Sequence, residues 1–243
     1  MPGKPRMYLP GVRSHVVQRG DDRQACFFEE ENYLFYRHSP EESCKRYGVA
    51  VHACVLMTNH VHLLMTPNDE RGISRVMRLV GNRYVQYVNK HYRRSGALWG
   101  GRHKASLVDA ERYLLVCYRY IELSPVRAGV VVDPVDYRWS SYRHNAEGEP
   151  SIAITAHKLF LAISLNVDER RRCYRELFRA GSNDDEIKRP VDVELQVSQC
   201  RLAVIDSNQM SNVGAYYWAV SSGAAAGWYA SIGEKASCAT GAF

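Results

Sequence analysis

An α+β fold of the ferredoxin-like, or RRM-like, kind is what this 243-residue sequence predicts: an antiparallel sheet with helices on one face. Three observations carry the prediction. Two apolar runs, 49–56 and 60–65, flank the dipeptide Thr58-Asn59 and read as a hairpin. A helical stretch lies on either side of it, at 29–47 and 73–92. Strand-like runs at 11–19 and 103–108 bracket the whole, so the order is that of a split βαβ unit.

The first strand, Gly11 to Arg19, ends at Gly20-Asp21-Asp22. The helix after it carries Tyr33, Leu34 and Tyr36 at apolar positions. Pro40 is expected to kink or split it, and Gly48 to close it as a C-terminal cap. In the hairpin, Asn59 suits the tight turn because Asn tolerates positive φ. Side chains two apart share a face of a strand. His60, His62 and Leu64 therefore point one way, and Val61, Leu63 and Met65 point toward the helix layer.

Imidazole is the commonest protein ligand for a divalent metal, so two of them on adjacent pleats form a candidate metal site. Other His-x-His chemistries can be checked against the chain. A histidine-triad hydrolase needs a third His where Leu64 stands, and a metallo-β-lactamase-like site needs Asp-His where Leu63-Leu64-Met65 follow. A structural zinc finger needs paired Cys-x-x-Cys, which the chain lacks.

Residues 71–108 hold nine Lys or Arg and no Asp or Glu. Ile73, Val76, Met77, Val80, Tyr84, Val88 and Tyr92 form the buried stripe of a helix, and the arginines fall off it. A solvated face normally mixes signs, so 38 residues without an acid point to a phosphate backbone. They also disfavour a small-molecule metallohydrolase. Interleaved aromatics (Tyr87, Tyr92, Trp99) suit stacking on unpaired bases. The DNA-binding residues expected here are Arg83, Lys90, Arg93, Arg94, Trp99, Arg102 and Lys104. The last four cations flank the Gly96 and Gly100-Gly101 turns, where backbone can approach a phosphate closely.

Asp109 is expected to cap a helix from Ala110 to about Leu123, with Leu114, Cys117 and Ile121 against the core and Pro125 ending it. Trp139 is expected to pack back on the domain from an irregular segment. Glu147 to Pro150 reads as a linker, and 155–163 and 167–179 read as short helices. Fifteen of residues 221–243 are Gly, Ala or Ser, so a poorly ordered tail is expected from 183 onward. Net charge is +6, which favours an anionic partner. Seven scattered cysteines read as reduced thiols of a cytosolic protein. No apolar run approaches the roughly 18 residues of a membrane span.

The blocks Leu56-Met57-Thr58-Asn59-His60-Val61-His62, Gly96-Ala97-Leu98-Trp99-Gly100-Gly101-Arg102, Arg119-Tyr120-Ile121-Glu122-Leu123-Ser124-Pro125-Val126-Arg127-Ala128-Gly129 and Tyr137-Arg138-Trp139-Ser140-Ser141-Tyr142 stand in an order that resembles the REP-associated tyrosine transposases. These belong to the HUH single-strand nucleases, and the likeness covers about residues 5–180. It implies a catalytic domain over 1–148, a helical extension over 149–182 and a divergent tail over 183–243. It further implies Mg²⁺ or Mn²⁺ on His60 and His62, Tyr120 as the nucleophile, and a 5′-phosphotyrosyl intermediate. The partner implied is single-stranded or hairpin DNA, with repetitive extragenic palindromes as substrate, and the protein would be a monomer or homodimer. Where the family usually carries Asn before the Pro, this chain has Ser124, a shorter and weaker neutral candidate for the third metal position. That departure favours the alternative of a hairpin-binding protein of the same fold with impaired catalysis.

Overall fold

In the computed structural model, which describes residues 8–108, 112–151 and 153–179, the hairpin forms one half of the sheet, with its second strand central and its first at the edge. Its strands are β2 (Val49–Met57) and β3 (His60–Pro67), paired from Val49↔Pro67 to Met57↔His60 with one irregularity between Val51 and Ala53. β1 (Arg13–Arg19) lies on the other side of β3, and β4 (Lys104–Val108) pairs with β1 at the edge. The order β2-β3-β1-β4, antiparallel throughout, is that of the split unit expected.

The hairpin turn corrects one expectation. Among the described non-glycine residues positive φ occurs at Asp22, Arg23 and Arg93, so Asn59 is not left-handed. The turn is held from outside instead. The Thr58 carbonyl accepts from the N–H groups of Cys26 and Phe27, and the Asn59 carbonyl accepts from Gly20 N–H. External donors thus fix a turn that the hairpin would otherwise close with a positive-φ residue.

Helices α1 (Glu30–Tyr47) and α2 (Gly72–His91) cover the face that carries Val16, Val61, Leu63 and Met65. Gly48 ends α1 in the left-handed region, as expected (φ 59°). Pro40 does not split the helix: α1 runs unbroken through it. An internal proline loses a hydrogen bond and crowds the preceding turn, at about 3 kcal/mol or more. Burial of that turn offsets this, since Tyr36 is packed against Phe27, Tyr84 and Trp99. Ser39 Oγ also donates to the Phe35 carbonyl at 2.7 Å.

The opposite face of the sheet is crossed by α3 (Arg112–Glu122), which buries Leu114, Tyr118 and Ile121. The expected cap Asp109 and the first residue Ala110 lie outside the described residues, as does the tail from 183. A four-residue turn of helix, α4 (Ser124–Arg127), follows at once, so Pro125 opens a new helix in its first turn. Residues 143–147 form a π-type turn. The segment read as a linker is tied down: Arg143 pairs with Glu149, and Thr155 N–H donates to the Val51 carbonyl at 2.7 Å. α5 (Lys158–Leu161) and α6 (Val167–Arg179) complete the described chain, with Phe160 and Tyr174 packed around Tyr118. No helix among the described residues is long and apolar enough to cross a membrane.

Candidate active site

Strand alternation puts His60 and His62 on the α3 side of the sheet, ring centroids 4.8 Å apart. Burial holds the imidazolium form of both down, to about 4 for His60 and about 3 for His62. Arg19 adds to the first, and His15, His60, Arg127 and Arg19 add to the second. Both rings are therefore neutral at neutral pH and carry one lone pair each. The Nδ1 of His60 lies 2.6 Å from Asn59 Oδ1. A carboxamide oxygen can only accept, so Nδ1 carries the hydrogen and Nε2 is left with the lone pair. That is the arrangement of a metal-ligating histidine oriented by an outer acceptor. The residues present thus fit a divalent cation held by two imidazoles.

A third histidine, absent from the sequence reading, completes the cluster. His15 of β1 faces the same side, with Nε2 2.8 Å from His62 Nδ1. Burial lowers its pKa too, to about 4. The clue was in the β1–β3 register, which places Val17 opposite His62 and His15 one pleat away.

Tyr120 comes to this cluster from α3. Its ring stands edge-on to His15 and His62, with centroids 5.8 and 5.9 Å away, and is 38% exposed. On the same helix Tyr118 is fully buried. Tyr120 is therefore the α3 tyrosine that combines solvent access with the histidines. The Arg127 guanidinium lies 4.0 Å from the centroid of its ring and donates to its carbonyl at 2.7 Å. Sequence reasoning missed Arg127, because the break at Leu123 resets the helical spacing between the two residues.

Ser124 does not join the histidines. Its hydroxyl donates to the Tyr120 carbonyl at 3.0 Å and accepts from Arg127 at 3.1 Å. The oxygen is engaged at a helix junction, and the guanidinium beside it repels a cation. Among the described residues no group of three or more His, Cys, Asp and Glu is arranged to hold a metal. Glu122 points away from Tyr120, as expected, and is fully buried. It accepts from Ser141, Asn145 and Tyr174, the last at 2.7 Å. These bonds tie α3, which carries Tyr120, to the 141–145 segment and to α6.

The cations expected to meet DNA divide. Arg83 pairs with Glu42 at 3.0 Å, and Arg94 folds back on the Ala97 carbonyl. Lys90 and Arg93 are exposed at the end of α2, and Lys104 is exposed on the edge strand. Trp99 corrects the stacking expectation. It is 8% exposed, lodged against Tyr36 and Tyr84, because its indole fills the aromatic core. Tyr87 likewise stacks on Phe35. Gly100 serves a contact within the chain, since a Cβ there would meet the Gly20 carbonyl at 3.2 Å. Arg102 lines a groove with Arg71, at the start of α2, and Arg75 and Arg78 of α2; Gln18 and Trp99 line it too.

Comparison with known proteins adds four observations. Residues 9–124 match the family model described as "Transposase IS200 like". The chain is similar to the solved structure of a REP-associated tyrosine transposase bound to a REP hairpin, with 18% identity and a TM-score of 0.52 over 65% of this chain and 93% of that one. It is more distantly similar to a bacterial tRNA(His) guanylyltransferase-like protein in complex with ATP, with 10% identity and a TM-score of 0.35 over 48% and 56% of the two chains. No curated protein matches the sequence.

Proposed function

We propose, from the match of residues 9–124 to the model of the IS200-like transposases, a family of DNA-processing enzymes, that this chain is a metal-dependent DNA endonuclease and strand transferase. Its substrate in this reading is single-stranded or hairpin DNA. The observation that carries the reading is Tyr120, an exposed phenol standing against the histidine cluster and under a guanidinium. Hairpin DNA as the partner is supported by the similar transposase solved with a REP hairpin and by the arginine-lined groove beside α2.

In this mechanism Tyr120 Oη attacks the scissile phosphorus. The bond from phosphorus to the 3′ oxygen breaks, the phenol gives up its proton, and the departing oxygen takes one to become a 3′-OH. The downstream strand is then held through a 5′-phosphotyrosyl bond. Attack by a 3′-OH reverses each change, so rejoining needs no external energy source. His60 and His62 would hold Mg²⁺ or Mn²⁺ through Nε2, and the chemistry that ion supplies when bound is neutralisation of charge on the phosphate oxygens. Arg127 places a second positive charge over the ring of Tyr120, where it would meet charge developing on the phosphate.

A denaturing gel of the protein with 3′-labelled hairpin DNA and Mn²⁺ tests this. A covalent species that keeps the 3′ label, and is lost in Tyr120→Phe, is the expected result. Retention of a 5′ label instead, or a covalent species formed by Tyr120→Phe, would sink the assignment. The engagement of Ser124 by Arg127 favours one alternative, a hairpin binder of the same fold with impaired catalysis. Tight binding with no covalent species would select it.

A further inference from the structure

We propose that His15 is the positioning residue that keeps His62 in the tautomer a metal ligand needs, by accepting the hydrogen on His62 Nδ1. The inference rests on the reading of His60 and His62 as the pair that holds the ion.

A neutral imidazole has one N–H and one lone pair. The 2.8 Å contact between His15 Nε2 and His62 Nδ1 can be made in two ways. If His15 donates, the lone pair of His62 is consumed at Nδ1 and its hydrogen sits on Nε2, leaving nothing for a cation. If His62 donates, its Nε2 lone pair is free. His60 has the same problem and solves it with Asn59 Oδ1, an obligate acceptor at 2.6 Å. The two rings on adjacent pleats would thus be fixed in the same tautomer by two different acceptors. One comes from the turn and the other from the neighbouring strand. The site is suited to holding this choice. His62 is 7% exposed, so water competes poorly for Nδ1. The rings of His15 and His62 lie 18° from parallel at 5.0 Å, held by the β1–β3 ladder.

The test begins on the metal-free full-length protein, where long-range ¹H–¹⁵N correlation spectra report which nitrogen of each ring is protonated. His62 protonated on Nδ1, with His15 Nε2 bare, is the expected result; His62 protonated on Nε2 overturns the proposal. The second arm measures Mn²⁺ binding by calorimetry without DNA. His15→Phe removes the acceptor and should weaken binding by about tenfold or more, the usual effect of losing an outer-shell partner. His15→Gln, whose Oε1 can accept in place of the ring nitrogen, should stay within about threefold of the parent. Parent-like binding by the Phe variant, or equal losses in both variants, overturns the proposal. Wild-type protein that binds no Mn²⁺ while His62 is protonated on Nδ1 would separate the two ideas: the tautomer assignment would stand and the metal reading would fall.

Discussion

At the scale of single residues, the proposed function divides labour between side chains that would touch phosphate and side chains that would hold an ion. Binding of a nucleic acid rests mostly on cation–phosphate contacts, whereas His60 and His62 would serve cleavage. His60→Ala or His62→Ala should therefore abolish cleavage while hairpin affinity stays within a few-fold, measured by gel shift and cleavage assay on the same preparations. Normal cutting by both variants would remove the two histidines from the mechanism. Their common direction was readable from the chain because strand alternation has a period of two and the hairpin is local. His15 was not readable, since its neighbour is set by the pairing of β1 with β3, 47 residues apart. Arg127 was hidden by the helix break at Leu123, and Trp99 by an aromatic core that no local pattern describes.

At the scale of elements, the basic stretch changes meaning once it is folded. In sequence the cations around the glycine turns looked best placed for a phosphate. In the fold, Arg94 is turned back on its own loop and Arg83 on α1. Arg71, Arg75 and Arg78, one helical turn apart, line one groove with Arg102. Neutralising Arg71 and Arg78 together should lower the slope of log affinity against log salt by about one to two units, as each phosphate contact contributes roughly 0.7–0.9. Neutralising Arg93 and Arg94 should lower it by less. A larger loss from the second pair would move the docking surface from α2 to the loop. The element types themselves were legible, because each carries its own periodicity. What local rules misjudged were Pro40 and the Thr58-Asn59 turn. In both cases contacts from distant segments, the aromatic cluster and the N–H groups of residues 20–27, override the local preference.

At the scale of the whole molecule, α3, the 141–145 segment and α6 converge on one buried carboxyl, that of Glu122. The strand order followed from the alternation of elements, but this convergence is tertiary and left no trace in the sequence. It makes stability depend on pH. Burial raises the carboxyl to about 7 from an ordinary 4.5, against the pull of the hydrogen bonds from Ser141, Tyr174 and Asn145. Between those two values the folded state binds more protons at this site than the unfolded state does, so its contribution to stability falls as pH rises through the window. The full difference is of order 3–4 kcal/mol. The buried histidines act in the other direction. His15, His60, His62 and His157 are held at about 3–4 in the fold, against an ordinary 6.5. Their contribution is complete above pH 6.5 and is lost as pH falls through the folded values. The melting curve of the wild type therefore mixes opposing slopes. Glu122→Gln isolates one of them, since the amide oxygen can still accept from Ser141 and Asn145 and the amide nitrogen can donate to Tyr174. Urea unfolding of the two proteins from pH 5 to pH 8 should show the variant gaining about 2–3 kcal/mol on the wild type across that range. A difference that stays constant with pH would mean that Glu122 ionises in the fold as it does in the unfolded chain, and that its three partners stabilise a carboxylate.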